Sequence, residues 1–126
     1  YYPAWIGRGN ALSALGTHDA AVAAYDEALK YKTPYAVHDF IAAYMGKAAA
    51  LSALSRREEA AEAYAEAAKL SPELVDAWVG RGDALYDIGR DEEAVAAYDS
   101  ALAADSRHHH SWVRRGDSFM RRASYY

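Results

Sequence analysis

One spacing recurs through this chain and restricts its fold more than any other feature. The aromatic residues Trp5, Tyr44, Trp78 and Trp112 stand 39, 34 and 34 residues apart. The same offsets connect Leu12, Leu51, Leu85 and Phe119, the basic set Arg8, Lys47, Arg81 and Arg115, and the small set Gly9, Ala48, Gly82 and Gly116. Further along each unit, Ala21, Ala60 and Ala94 keep the register, as do Tyr25, Tyr64 and Tyr98, and Ala28, Ala67 and Ala101. Seven columns in one register define a period of 34, with five residues inserted between the first and second units. A fixed period of roughly 20–50 residues is the mark of an array whose units cannot bury their apolar faces alone and must stack.

The period holds two helices and two short turns. Trp78, Gly82 and Leu85 share one helical face by three-and-four spacing, and Ala94, Tyr98 and Ala101 share one on the next helix. Between them, Gly89 suits a left-handed helix end and Asp91 an N-cap. Gly16 and Thr17 take these places in the first unit, and Ser55 stands where the others have Gly. Ser71-Pro72-Glu73 is expected to open a helix with a cap residue and Pro in the first turn. The acid pairs Glu58-Glu59 and Glu92-Glu93 fall in first turns, where they suit the helix dipole. Small residues at 9, 48, 82 and 116 let the second helix approach closely, so Gly82 is expected to be intolerant of a large side chain. Gly80, off that column, is expected to accept Ala with little effect.

The set Trp78, Gly82, Leu85, Gly89, Ala94, Tyr98 and Ala101, with Pro72 closing the preceding unit, resembles the signature of the tetratricopeptide (TPR) repeat family. The resemblance covers nearly the whole chain. It implies an all-α solenoid, a right-handed superhelix of seven helices forming a single array over 1–126. Its repeats run at about 2–35, 41–74 and 75–108, with a terminal capping helix at about 109–124 and the insertion within 32–40. Pro34 is expected to stop the second helix, and the third to start early, near Tyr35 to Asp39. Trp112, Gly116 and Phe119 line one side of the terminal helix with arginines elsewhere, so it reads as a cap or as the first half of a fourth repeat.

Composition narrows the function classes. No run of about 18 apolar residues exists to span a membrane, and no signal-peptide pattern opens the chain. The absence of Cys removes disulfides and thiolate metal sites, and a cytoplasmic setting is the expected one. The chain opens Tyr1-Tyr2-Pro3 without Met, as an excised or engineered piece would. Net charge is −4, unevenly placed: from Arg107 onward five arginines face one acid, Asp117, so the remainder carries −8. An acidic body argues against nucleic acid, which requires a basic face. His108-His109-His110 lacks the three- or four-residue spacing of a helical zinc pair and is expected to be a solvated helix start, so no metal is expected. Gly7-Arg8-Gly9 and Gly80-Arg81-Gly82 recur with the repeat and serve packing rather than phosphate binding. No Ser/His arrangement or phosphate loop is present, so neither an enzyme nor a cofactor is expected.

The resemblance also implies a site. First helices in that family line a concave surface that holds an extended peptide or a helix. Carried over, the lining residues are Ile6, Asn10 and Ser13; Met45, Ala49 and Ser52; Val79, Asp83, Tyr86 and Asp87; and His110, Val113, Arg114 and Asp117. Some members clamp the C-terminal carboxylate of heat-shock chaperones with Lys, Asn and Arg. Asn10 stands where one such Asn would, but Ile6, Gly46 and Asp76 occupy places where the clamp has Lys, Asn and Lys, and Arg114 lies one unit beyond the usual Arg. The expected partner is therefore a protein or peptide with apolar anchors and basic residues, met by Asp83, Asp87 and Asp117 with Arg114 as the lone opposing charge. The alternative is a structural module that self-assembles head-to-tail through its array ends, the basic end meeting the acidic body.

Overall fold

The computed structural model describes residues 2–31, 33 and 35–125. Seven helices follow in order: α1 (Tyr2–Ala14), α2 (His18–Leu29), α3 (Val37–Ala53), α4 (Arg57–Leu70), α5 (Val75–Asp87), α6 (Asp91–Ala104) and α7 (His109–Tyr125). No strand occurs among the described residues. α1/α2, α3/α4 and α5/α6 pack as pairs, each second helix packs on the next first helix, and α7 closes over α6. First helices of successive units also touch, α1 with α3 and α5 with α7. They therefore form the shorter, inner arc of a helical solenoid.

The turn inside each pair is the same device three times. The carbonyl of Leu12 accepts from Thr17 N–H, that of Leu51 from Arg56 N–H and that of Leu85 from Arg90 N–H, each at 2.9 Å. This closure needs a left-handed residue, supplied by Gly16 and Gly89 at φ +80° and by Ser55 at φ +60°. A Cβ in that region is unfavourable by about 1 kcal/mol. Ser55→Gly is therefore expected to raise unfolding free energy by roughly 0.5–1 kcal/mol, and a urea melt with unchanged or lower stability would contradict the strain argument.

Other expected caps are placed differently. α5 starts at Val75 with Leu74 at its N-cap, while Ser71 ends α4 and its hydroxyl donates to Glu73 Oε1 at 2.8 Å. The Ser71-Pro72-Glu73 segment is thus the turn between units rather than a helix start. Thr17 sits at an N-cap but makes no side-chain cap bond. Asp91 is the first residue of α6, not its cap, and lies buried at 8% exposure. The expected stop at Pro34 lies outside the described residues. α3 begins at Val37, a turn before the 34-residue register, so the insertion lengthens it to 17 residues against 13 in α1 and α5. The added turn buries Phe40 completely.

The core follows the columns. Ala21, Tyr25, Ala28, Ala60, Ala67, Ala94, Tyr98 and Ala101 are buried on the second helices, with Leu51 and Leu85 on the first. The indole N–H of Trp78 donates to the Pro72 carbonyl and that of Trp112 to the Ser106 carbonyl, both at 2.8 Å, so each Trp ties its helix to the preceding turn.

One close contact escapes the expected register. A Cβ on Gly82 would lie 2.6 Å from the Tyr98 ring, as the column argument requires. A Cβ on Gly80 would lie 2.5 Å from the Tyr64 ring of the preceding unit, and one on Gly46 2.5 Å from Tyr25. Gly80 is therefore not a tolerant position: Tyr25 lies against Gly9 of its own unit and Gly46 of the next, and Tyr64 reaches Gly80 of the next unit in the same way.

Candidate functional site: the inner face of the first helices

The tyrosines carry their hydroxyls to the inner arc. Tyr25 OH donates to Asn10 Oδ1 at 2.6 Å, Tyr98 OH donates to Asp83 Oδ1, and Tyr64 is hydrogen-bonded to the Ser52 side chain. Two of these acceptors, Asn10 and Asp83, lie 15 residues before their tyrosine. In the middle unit that place is Ala49, which offers no acceptor, and Tyr64 turns to Ser52 instead. Burial pushes all three phenols above their ordinary range, and for Tyr98 the Asp83 carboxylate adds to it. They stay protonated, and Tyr25 and Tyr98 donate to Asn10 and Asp83 and fix those side chains on the inner face.

Asp83 is the most connected of the expected groove residues. His110 Nε2 lies 2.9 and 3.0 Å from its two carboxylate oxygens, and the Tyr98 hydroxyl completes the cluster. His110 is thus more than a solvated residue at a helix start. His108 Nδ1 accepts from Ser111 N–H at 3.3 Å, so these two histidines serve different tasks at the start of α7.

The opposing charge is not a single arginine. Asp87 is paired with Arg57 of the preceding unit at 3.2 Å. Arg114 stacks on the Tyr86 ring at 4.5 Å from its centroid, and Arg121 covers the same ring at 4.0 Å. Asp117 is exposed and makes no hydrogen bond or ion pair among the described residues. Asn10, Ala49, Val113 and Asp117 are exposed, and Ser13, Ser52, Val79 and Tyr86 half-buried. Ile6 and Met45 turn inward against the apolar core and offer less surface than the sequence suggests.

Sequence reasoning missed Arg57, Arg121 and the tyrosine hydroxyls. The signal was present for the hydroxyls, because the 15-residue spacing of Asn10–Tyr25 and Asp83–Tyr98 is shared by both outer units. It also misread the basic end. Arg115 pairs with Asp99, Arg121 with Asp91 and Arg122 with Glu92, all on α6. The arginines of α7 hold the last helix on the acidic body, and are not a free basic surface.

The glycine column reaches the inner face too. Gly46, Gly80 and Arg114 are in register, and the first two are backed by Tyr25 and Tyr64. A cation cannot stand at 46 or 80 unless the ring behind it moves. No helix among the described residues is long and apolar enough to cross a membrane.

Comparison with known proteins agrees with this geometry. Two models described as tetratricopeptide repeat match the chain, one over residues 45–109 and one over residues 2–34. No curated protein matches it. Among solved structures, the first TPR of Spaghetti (RPAP3), bound to the HSP90 peptide SRMEEVD, superposes with a TM-score of 0.80 at 20% identity, covering 97% of this chain and 93% of that one. The TPR domain of Arabidopsis OM64 gives 0.76 at 25% identity, with 93% of each chain covered. The Sgt2 TPR domain from Aspergillus fumigatus gives 0.77 at 23%, covering 98% of this chain and 80% of that one. Repeat register, helix pairing and family match together make this chain a member of the tetratricopeptide repeat family.

Proposed function

We propose that the chain is a non-catalytic protein-interaction scaffold whose inner face binds an extended segment with apolar anchors and basic residues. The array at 1–126 acts as one unit, and a cytoplasmic setting is consistent with its Cys-free composition. The site comprises Ile6, Asn10 and Ser13, then Met45, Ala49 and Ser52, with Val79, Asp83, Tyr86 and Asp87, and His110, Val113, Arg114 and Asp117 in the later half. The observation that carries this reading is the glycine column. Tyrosine rings occupy the space behind Gly46 and Gly80, so cations are excluded there, while Arg114 is drawn onto Tyr86. Apart from the polar Asn10 and His110, what remains accessible is acidic, small or apolar: Asp87, Asp117, Ala49, Val79, Val113 and part of Tyr86.

RPAP3 accommodates the acidic peptide SRMEEVD. This groove is expected to disfavour such a ligand and to bind a Leu- or Phe-anchored peptide bearing Lys or Arg. Complementary charge acts mainly on the association rate and is screened within about 10 Å at 0.1 M salt. Replacing Asp83 and Asp87 together by Asn should therefore slow association severalfold at low salt. The melting temperature should fall only modestly, because an amide in place of the Asp83 carboxylate would still offer its oxygen to the Tyr98 hydroxyl, and the exposed Arg57–Asp87 pair contributes at most about 1 kcal/mol. Stopped-flow anisotropy with labelled basic and acidic peptides decides the matter. Tighter binding of the acidic peptide, or no change in the double variant, would overturn the reading.

Head-to-tail self-assembly is the weaker reading. Among the described residues the array runs from α1 to α7, both first-type helices, so stacking one on the other lacks the second-type helix that packs against each successive first helix within the array. Light scattering across salt concentration tests it directly.

A further inference from the structure

α7 repeats a receiving site that is filled twice elsewhere in the chain. In α1, Gly9 lies under the Tyr25 ring and Asn10 accepts its hydroxyl; in α5, Gly82 lies under the Tyr98 ring and Asp83 accepts its hydroxyl. Gly116 and Asp117 occupy the same two places in α7. A Cβ on Gly116 would meet nothing within 4 Å, and Asp117 has no partner among the described residues. The flanking columns agree. Leu85 is 2% exposed beneath α6, whereas its counterpart Phe119 is 41% exposed, with Trp112 beside it at 51%.

We infer that this open face of α7 docks, in trans, an acidic amphipathic helix carrying Tyr between two alanines, in the pattern of Ala94, Tyr98 and Ala101. The interface continues the stack already built, since α6 on α5 and α2 on α1 show what covers such a face. The helices that cover this face elsewhere are acidic, α6 with four acids and no Lys or Arg and α2 with three acids and none. On α7 the cation at this face is Arg115, which lies over the Phe119 and Trp112 rings while paired with Asp99; the other arginines are held by α6 and Tyr86. The tyrosine ring lies over Gly116, its hydroxyl donates to Asp117, and the alanines let the helix approach Trp112 and Phe119. This surface shares Asp117 with the groove that the proposed function rests on, but Trp112, Gly116 and Phe119 lie outside that groove.

The probe is a synthetic peptide of the α6 sequence, Asp91–Ala104, titrated into the whole chain and followed by amide chemical shifts. Shifts should concentrate at Gly116, Asp117 and Phe119, with a dissociation constant on the order of 0.1–1 mM because a short helix must order on binding. A peptide with Tyr98→Ala should bind at least about tenfold more weakly, a difference of roughly 1.4 kcal/mol. In the chain, Gly116→Ala should weaken the parent peptide by a similar factor while holding or raising the melting temperature, since the site is empty and helical. Equal binding of the two peptides would mean a merely adhesive patch and overturn the inference. So would shifts centred on Gly82 and Asp83, which would report displacement of α6, or silence at millimolar peptide. Self-association through α7 that Gly116→Ala leaves intact would assign the face to a second copy and overturn it equally.

Discussion

Gly82→Leu is expected to destabilise the chain by about 3 kcal/mol or more, at the upper end of what overpacking a core brings. A Cβ alone would stand 2.6 Å from the Tyr98 ring, closer than such contacts occur. The ring has no room to withdraw: Tyr98 is fully buried, and moving it would surrender its hydrogen bond to Asp83. Relief must come from spreading α5 and α6, which exposes the Ala94 and Ala101 columns. The same reasoning makes Gly80→Ala destabilising by roughly 1–3 kcal/mol, through Tyr64 of the preceding unit. Gly7→Ala provides the control. Gly7 is also a helical glycine, yet nothing lies within 4 Å of its Cβ position, so Ala there should be neutral or stabilising by up to ~1 kcal/mol. Urea melts of the three variants give the ordering. A Gly80→Ala variant as stable as Gly7→Ala would show that the units do not share their tyrosines as described.

The difference between Gly82 and Gly80 illustrates what a sequence of this kind makes legible. Helices, their pairing and the left-handed turns at Gly16, Ser55 and Gly89 depend on three-and-four spacing and on local cap chemistry, so a 34-residue register exposes them. The contact of Gly82 with Tyr98 lies within one unit and is legible for the same reason. Gly80 with Tyr64 and Gly46 with Tyr25 are contacts between units, and their separations of 16 and 21 residues follow from how the units rotate on one another. No periodicity of a single helix encodes that rotation. The groove shows the same division. The faces presenting Asp83, Asp87 and Asp117 are readable from spacing, but Arg57 on Asp87 and His110 on Asp83 arrive from neighbouring units. A list of groove charges therefore overstated how free those charges are. Asp91 was misassigned because a cap and a buried ion-pair partner both stand at a helix start, and only packing against α7 separates them.

Arg121→Met should cost about 3 kcal/mol, whereas Asp91→Ala should cost less. Asp91 and Arg121 form a forked ion pair between α6 and α7, with Nε at 2.9 and 3.1 Å from the two carboxylate oxygens. Arg121 also donates to the Tyr86 carbonyl at 2.6 Å, closing the joint between the last two units. The partners are unequally buried, 8% exposed for the Asp side chain and 30% for the Arg. Removing Arg121 strands a carboxylate out of water, and breaking a buried pair that way is strongly unfavourable, at roughly 3–5 kcal/mol before allowance for partial exposure. Removing Asp91 leaves a guanidinium that can still reach solvent and Tyr86, so roughly 1–2 kcal/mol is expected. One unit earlier the same two places hold Arg57 and Asp87, with the charges exchanged. The joint geometry therefore accepts either polarity, and the double variant Asp91→Arg/Arg121→Asp should recover most of the stability that Arg121→Asp alone removes. A double-mutant cycle by urea denaturation should show coupling of about 2 kcal/mol or more. The equivalent cycle at the exposed Arg57–Asp87 pair should stay below about 1 kcal/mol. Additive effects at 91 and 121 would mean that these arginines hold α7 in place by packing on Tyr86 and not by charge.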